Sequence, residues 1–251
     1  MKRLDFLAVL LILIANPVMA ADIDGRVAWS QRVDMSTPVS GMVAEVLVNA
    51  GDKVEKDAVL LRLQPDRFDA ALRSANAVKK DAQYKLKEAE REWDRAQELY
   101  ERTVLSDTDL QLAENLLVSA QAEFAKAKAQ QINAKRDALE SVVRAPFAAV
   151  VLQRHVEVGQ TVVSRTQAVP LLTLAATKTY HVIGAVTSSY ASKLATRQAV
   201  TMTINGKSYN GILAAIGYET LTGTDTYPVT ISFSAGDDVL REGQIATIHF
   251  P

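Results

Sequence analysis

The sequence predicts a mixed α and β protein, elongated and multidomain, and three observations predict it. Residues 66–141 read as two long helices with a short break between them. The stretches on either side, 37–65 and 142–176, repeat one another in spacing. From 177 to 251 the pattern changes to short strands separated by turns, the signature of a small antiparallel barrel.

At the N-terminus, Lys2 and Arg3 precede an apolar run over 6–15, then Asn16-Pro17 breaks it and Val18-Met19-Ala20 offers small residues for cleavage. This is the layout of a secretory signal peptide, 1–20, and the run is well short of the roughly 18 apolar residues that a spanning helix needs. Export with cleavage is therefore expected. The chain has no cysteine, so neither a lipidated cysteine nor a disulfide is expected. Residues 21–36 alternate loosely and read as a strand segment without an evident role.

The two flanks of the helices are TPVSGMVAEVLVNAGDKV at 37–54 and RAPFAAVVLQRHVEVGQTV at 144–162. Aligned on Pro38 and Pro146, they set Gly51 against Gly159 and Val54 against Val162 without a gap. Each copy alternates apolar residues at strand period and turns at Gly51-Asp52 or Gly159-Gln160, where a positive φ is tolerated. Each then closes on a hydrophobic strand, at 58–63 and 168–174. Neither copy can bury its apolar face alone, so the two are expected to pair as one β domain.

Within the helical region, Phe68, Leu72, Ala75, Ala82, Leu86, Ala89, Trp93, Ala96 and Tyr100 recur at alternating steps of four and three. Leu110, Ala113, Leu117, Ala120, Phe124, Ala127, Ala134 and Ala138 do the same in the second arm. That is a heptad seam, and it predicts a long antiparallel coiled-coil hairpin. Arms of about 35 residues at about 1.5 Å rise would reach roughly 50 Å. Lys79 and Gln131 are the polar exceptions. They are expected to set the pairing of the arms or to face a neighbouring copy. Between the arms, Ser106 with Asp109 three residues on has the form of a capping box.

Composition narrows the function classes. With 48% hydrophobic and 23% charged residues the chain is ordinary globular material, and its net charge of -1 gives no electrostatic reason to bind nucleic acid. His155, His181 and His249 lie on separate predicted strands without a spaced partner, and Met35, Met42 and Met202 read as core or turn residues. No metal site, cofactor or catalytic group is expected, and there is no nucleophile elbow or phosphate loop.

The paired halves resemble a biotinyl/lipoyl (barrel-sandwich) domain, and its interruption by a helical hairpin is similar to the periplasmic adaptors, or membrane fusion proteins, of the HlyD and RND efflux type. TPVSGMV at 37–43 and RAPFAAV at 144–150 match the family's APxxGxV half-motifs, with Ala149 where glycine is usual, which predicts a reshaped turn there. LQPDRF at 63–68 resembles the exit into the hairpin, and LREGQIATI at 240–248 is similar to the LRPGMxAxV ending of the adaptor barrel, with Glu242 in place of proline.

The resemblance implies a non-enzymatic adaptor in the periplasm, homo-oligomeric, joining an inner-membrane transporter to a TolC-type outer-membrane channel for export of small molecules. The transporter is expected to be of the resistance-nodulation-division (RND) type, with an ATP-driven exporter or secretion system as the alternative. Arg95, Leu99 and Ser106 stand in the Arg-x3-Leu-x6-Ser spacing of the family's channel-docking tip. Read without the resemblance, Arg95 is a solvated charge, Leu99 flanks the seam and Ser106 is an N-cap. A lipoyl or biotinyl carrier is a less favoured reading, because the hairpin occupies the turn that would present the modified lysine, and Lys79 and Lys80 sit inside a helix. A scaffold coiled coil leaves the repeat and the barrel unexplained.

Overall fold

The computed structural model describes residues 22–164, 169–236 and 238–251. The expected signal peptide, 1–20, lies outside the described residues, as does Ala168, where the second closing strand is expected to begin. The chain divides into two compact units, Arg32–Thr177, and the residues up to Gln31 together with Lys178–Pro251. The segment 21–36, to which the sequence assigns no role, is split between them: β1 (Asp22–Trp29) belongs to the second unit and β2 (Arg32–Met35) to the first.

In the unit 32–177, the first repeat supplies β3 (Gly41–Val46), β4 (Lys53–Val54) and β5 (Val59–Leu63). Helices α1 (Asp66–Glu101) and α2 (Asp107–Glu140) follow, and then β6 (Val142–Arg144), β7 (Ala149–Arg154), β8 (Thr161–Val162) and β9 (Leu172–Ala176). The strands form two four-stranded sheets, β2-β9-β7-β4 and β6-β5-β3-β8. The repeats exchange strands: β3 pairs with β8, and β4 with β7.

The exchange is reciprocal. Val43 donates to Gln160 O (2.8 Å) and accepts from Gly159 N–H (2.9 Å), while Val151 donates to Asp52 O (2.9 Å) and accepts from Gly51 N–H (2.8 Å). Each repeat's turn glycine, Gly51 at φ 97° and Gly159 at φ 86°, therefore caps the matching valine of the other repeat, a left-handed position that suits glycine. Between the sheets, Leu60, Leu61, Leu63, Leu171, Leu172 and Leu174 are at most 1% exposed. Burying each contributes about 1.5–3 kcal/mol.

Ala149 differs from expectation. It opens β7, fully buried and paired with Val54, just as Gly41 opens β3 paired with Val162, so it reshapes no turn. The glycine is needed in the first repeat alone, where a Cβ on Gly41 would sit 3.2 Å from Leu63 Cδ1 and 3.7 Å from Phe68 Cε2. Phe68, in the first turn of α1, packs into this core at 4% exposure and roots the helix in the sheet.

The helices run back alongside one another. In α1 the covered positions are Phe68, Leu72, Ala75, Lys79, Ala82, Leu86, Ala89, Trp93, Ala96 and Leu99. The heptad stripe thus appears as expected up to Ala96, and then takes Leu99 in place of Tyr100, which is 41% exposed. In α2 the covered positions from Leu110 to Ala138 follow the stripe, Gln131 included. Lys79 Nζ donates to Gln131 Oε1 (3.2 Å), and Gln131 Nε2 donates to Asn76 Oδ1 (3.0 Å). The two polar seam residues therefore satisfy each other across the pair.

In the second unit, β1, β10 (Thr179–Thr187), β13 (Thr226–Ser234), β12 (Lys207–Ile216), β11 (Ala199–Ile204) and β14 (Ile245–His249) form a closed barrel in that order, with one short helix α3 (Ser188–Ala191). β1 is what closes it, pairing with β10 on one side and β14 on the other. Closure removes the exposed edges that an open sheet would present. Alternate residues fill the interior, among them Val182, Met202, Leu213, Ile231 and Ile248, all fully buried. Tyr180 stacks between Trp29 and Phe233, at centroid distances of 5.4 and 6.0 Å.

Candidate functional site: the turn between the long helices

The end of α1 is closed without glycine. Thr103 N–H donates to Tyr100 O (2.9 Å) and Val104 N–H to Leu99 O (3.0 Å), the paired bonds of a Schellman motif. The left-handed residue that this motif requires is Thr103, at φ 60°, where a β-branched side chain is strained. α2 begins at Ser106. Its Oγ accepts from Asp109 N–H (3.2 Å) and donates to Asp109 Oδ2 (2.7 Å), which ties down one of the four orphan amides at the helix start. The Tyr100 phenol bonds the Asp107 carboxylate across the turn. That hydrogen bond, and then the negative charge itself, raise its pKa.

Arg95 lies on α1 with Nη1 on Glu92 Oε1 at 2.7 Å, its side chain 63% exposed. Leu99, one turn further on, is half-buried. Both line a groove of about 390 Å³ between the helices, with Leu105, Asp109, Leu112 and Leu116 among its other walls. Ser106 stands outside that groove, its hydroxyl engaged on both sides by the cap. The structure thus brings Arg95 and Leu99 together and gives Ser106 to the turn. Leu112 and Leu116, 57% and 56% exposed, are the wall residues that sequence reading passes over. The available signal is two leucines four apart in α2, both off the seam.

Among the described residues the three histidines form no competing cluster. His155 Nε2 lies 3.3 Å from Thr173 Oγ1, which donates to Asp34 Oδ1 at 2.7 Å. In the barrel, His249 lies between Asp22 and Thr203. His181 is partly covered, and the desolvation lowers its pKa. The three do not converge, and among the described residues no group of three His, Cys, Asp or Glu could hold a metal ion. Met202 fills the barrel and Met35 packs on the sandwich core, whereas Met42, expected in the core or a turn, lies 48% exposed on β3. Among the described residues no helix is long and apolar enough to cross a membrane.

Residues 31–171 match the family profile described as CzcB-like, barrel-sandwich hybrid domain. The chain is 28% identical over 224 residues to nodulation protein NolF of Rhizobium meliloti, covering 87% of this chain and 60% of NolF. It is 30% identical over 166 residues to macrolide export protein MacA of Escherichia coli O157:H7, covering 60% of this chain and 44% of MacA. The chain therefore spans about half the length of the curated relatives it matches. In fold it is similar to a membrane fusion protein of Streptococcus pneumoniae, with a TM-score of 0.67 at 18% identity over 91% of this chain and 97% of the other. It is also similar to a MacA–MexA chimaera carrying the Pseudomonas aeruginosa MexA α-hairpin domain, with a TM-score of 0.65 at 22% identity over 92% and 80%.

Proposed function

Because this chain belongs to the CzcB-like barrel-sandwich hybrid family of membrane fusion proteins, we propose that it is the periplasmic adaptor of an efflux assembly, linking an inner-membrane transporter to a TolC-type outer-membrane channel. The observation that carries this reading is the pair of long helices set between two strand-exchanged halves of one sandwich. A domain so interrupted has no tight turn on which to present a modified lysine. Lys79 is instead bonded to Gln131, and Lys80 lies 5.9 Å from the Tyr84 ring. What the insertion offers is reach, and side chains at its far end.

In this reading the helices form an antiparallel coiled-coil hairpin whose turn docks on the channel. Arg95 supplies directional hydrogen bonds to backbone carbonyls of the channel, and Leu99 an apolar contact. Ser106 holds the turn in shape. Several copies assemble around the export path, and export energy and substrate choice reside in the transporter. That transporter is of the RND type in the reading we favour, with an ATP-driven exporter as the alternative.

Arg95→Asp is the clean test, because Arg95 is exposed and its loss leaves the seam intact, whereas Leu99→Ser also uncovers the seam. Solute tolerance of cells carrying Arg95→Asp is expected to fall to that of a deletion at unchanged protein level. Normal tolerance would remove the docking role. Co-purification of the tagged chain after cross-linking names the transporter and decides between RND and ATP-driven partners.

A further inference from the structure

The charge around the inter-helix turn is not that of the chain. Between Glu88 and Glu114 there are nine Asp or Glu and three Arg, a net -6, while all 251 residues together carry -1. Two of the three arginines are already matched on their own helix: Arg91 bonds Glu88, and Arg95 bonds Glu92. Set in this acidic surface is an apolar patch. Leu112 and Leu116 lie one turn apart on α2, each more than half exposed, and wall the same groove as Leu99 and Leu105. Exposed leucines at that spacing present one face to a partner. An acidic surround repels an acidic surface and attracts a basic one within a Debye length of about 8 Å.

We propose that this groove receives an apolar side chain of the partner protein presented between Arg or Lys residues, so that the docking surface of the channel is basic and Leu112 and Leu116 are its anchors on this chain. The proposal rests on the docking reading above. It adds residues of α2 to that site and fixes the chemistry of the surface that meets it.

The test uses the full chain and the detergent-solubilised TolC-type channel of the same cell, immobilised, with binding followed in real time. Leu112→Ser and Leu116→Ser are each expected to weaken binding about tenfold or more, as buried anchors do, with helicity unchanged because both positions are exposed. Leu139→Ser, an equally exposed leucine (66%) at the other end of α2, is expected to bind as wild type. Raising salt from about 50 to about 500 mM should slow association roughly tenfold, and Glu98→Lys with Glu101→Lys should do the same at low salt.

If Leu112→Ser and Leu116→Ser bind normally while Arg95→Asp does not, docking stands and the groove is not its seat. Association that quickens with salt overturns the basic partner. Leucine variants that change the sedimentation of the chain alone, and not channel binding, assign the groove to contacts between copies and overturn the proposal. A wild-type chain that does not bind the channel overturns the docking reading, and this proposal with it.

Discussion

Thr103→Gly is expected to stabilise the turn between the long helices. Thr103 holds φ 60° at the position after the α1 cap, and an L side chain in that conformation costs about 1–2 kcal/mol. Glycine removes that cost but loses about 0.5–1 kcal/mol more backbone entropy on folding. The net gain is about 0.5–1 kcal/mol. It should be local, because the two bonds that depend on this conformation are Thr103 N–H to Tyr100 O and Val104 N–H to Leu99 O.

Native-state hydrogen exchange reads it directly. Protection of the Thr103 and Val104 amides is expected to rise roughly two- to fivefold, the equivalent of that energy, while amides near Ala82 stay as they were. Thr103→Ala keeps the left-handed cost and should gain little. Ser106→Ala removes the cap on the other side of the turn and should lower protection by about 1 kcal/mol. If Thr103→Gly leaves protection unchanged or lowers it, the turn holds no strain at this residue and the reasoning fails.

Two further outcomes follow from the same geometry. The five residues between α1 and α2 and the rooting of both helices in one sandwich already fix the register of the pair, so the Lys79–Gln131 bond is not needed for it. Lys79→Leu with Gln131→Leu is therefore expected to raise stability to urea by about 1–2 kcal/mol, as when a partly buried polar pair gives way to apolar packing, with cross-linking between Cys introduced at Ala82 and Ala127 unchanged. A lost cross-link would restore the register role. In the barrel, desolvation of His181 lowers its folded pKa, so around and below the unfolded value of about 6.5 the unfolded chain binds the proton more readily. Barrel stability should then rise as pH increases through that window, and His181→Gln should flatten the rise. A slope that persists in the variant would assign the effect to another group.

The helical seam is legible because its period is local: each covered residue from Phe68 to Ala96 and from Leu110 to Ala138 can be read from its neighbours three and four places away. The repeat is legible because both copies keep the same turn glycine and the same spacing. What escapes is non-local. β1 and β2 are loosely patterned, and their places depend on partners more than a hundred residues away, Gly25 on Gly184 and Met35 on Leu172. The shift from Tyr100 to Leu99 arises where α1 ends and the Schellman bonds turn the chain, so the heptad frame no longer dictates which side is covered. At the candidate site, Ser106 and Asp109 announce the cap. Leu112 and Leu116 carry meaning only once Leu99 and Leu105 are seen across from them.

The ends of the helical insertion meet: Leu63 N–H donates to Ser141 O at 2.9 Å, and Thr37 Oγ1 to the last α2 carbonyl, Glu140 O, at 3.1 Å. All strand exchange between the repeats lies outside these two points. The helices are thus a cassette whose two ends, through Phe68 and Ala138, stay packed in the sandwich while the length between them is free to vary. Such a cassette can lengthen or shorten by matched heptads, about 10 Å each, without a single change to the sandwich. The length of the helical pair can therefore be retuned independently of how the sandwich folds.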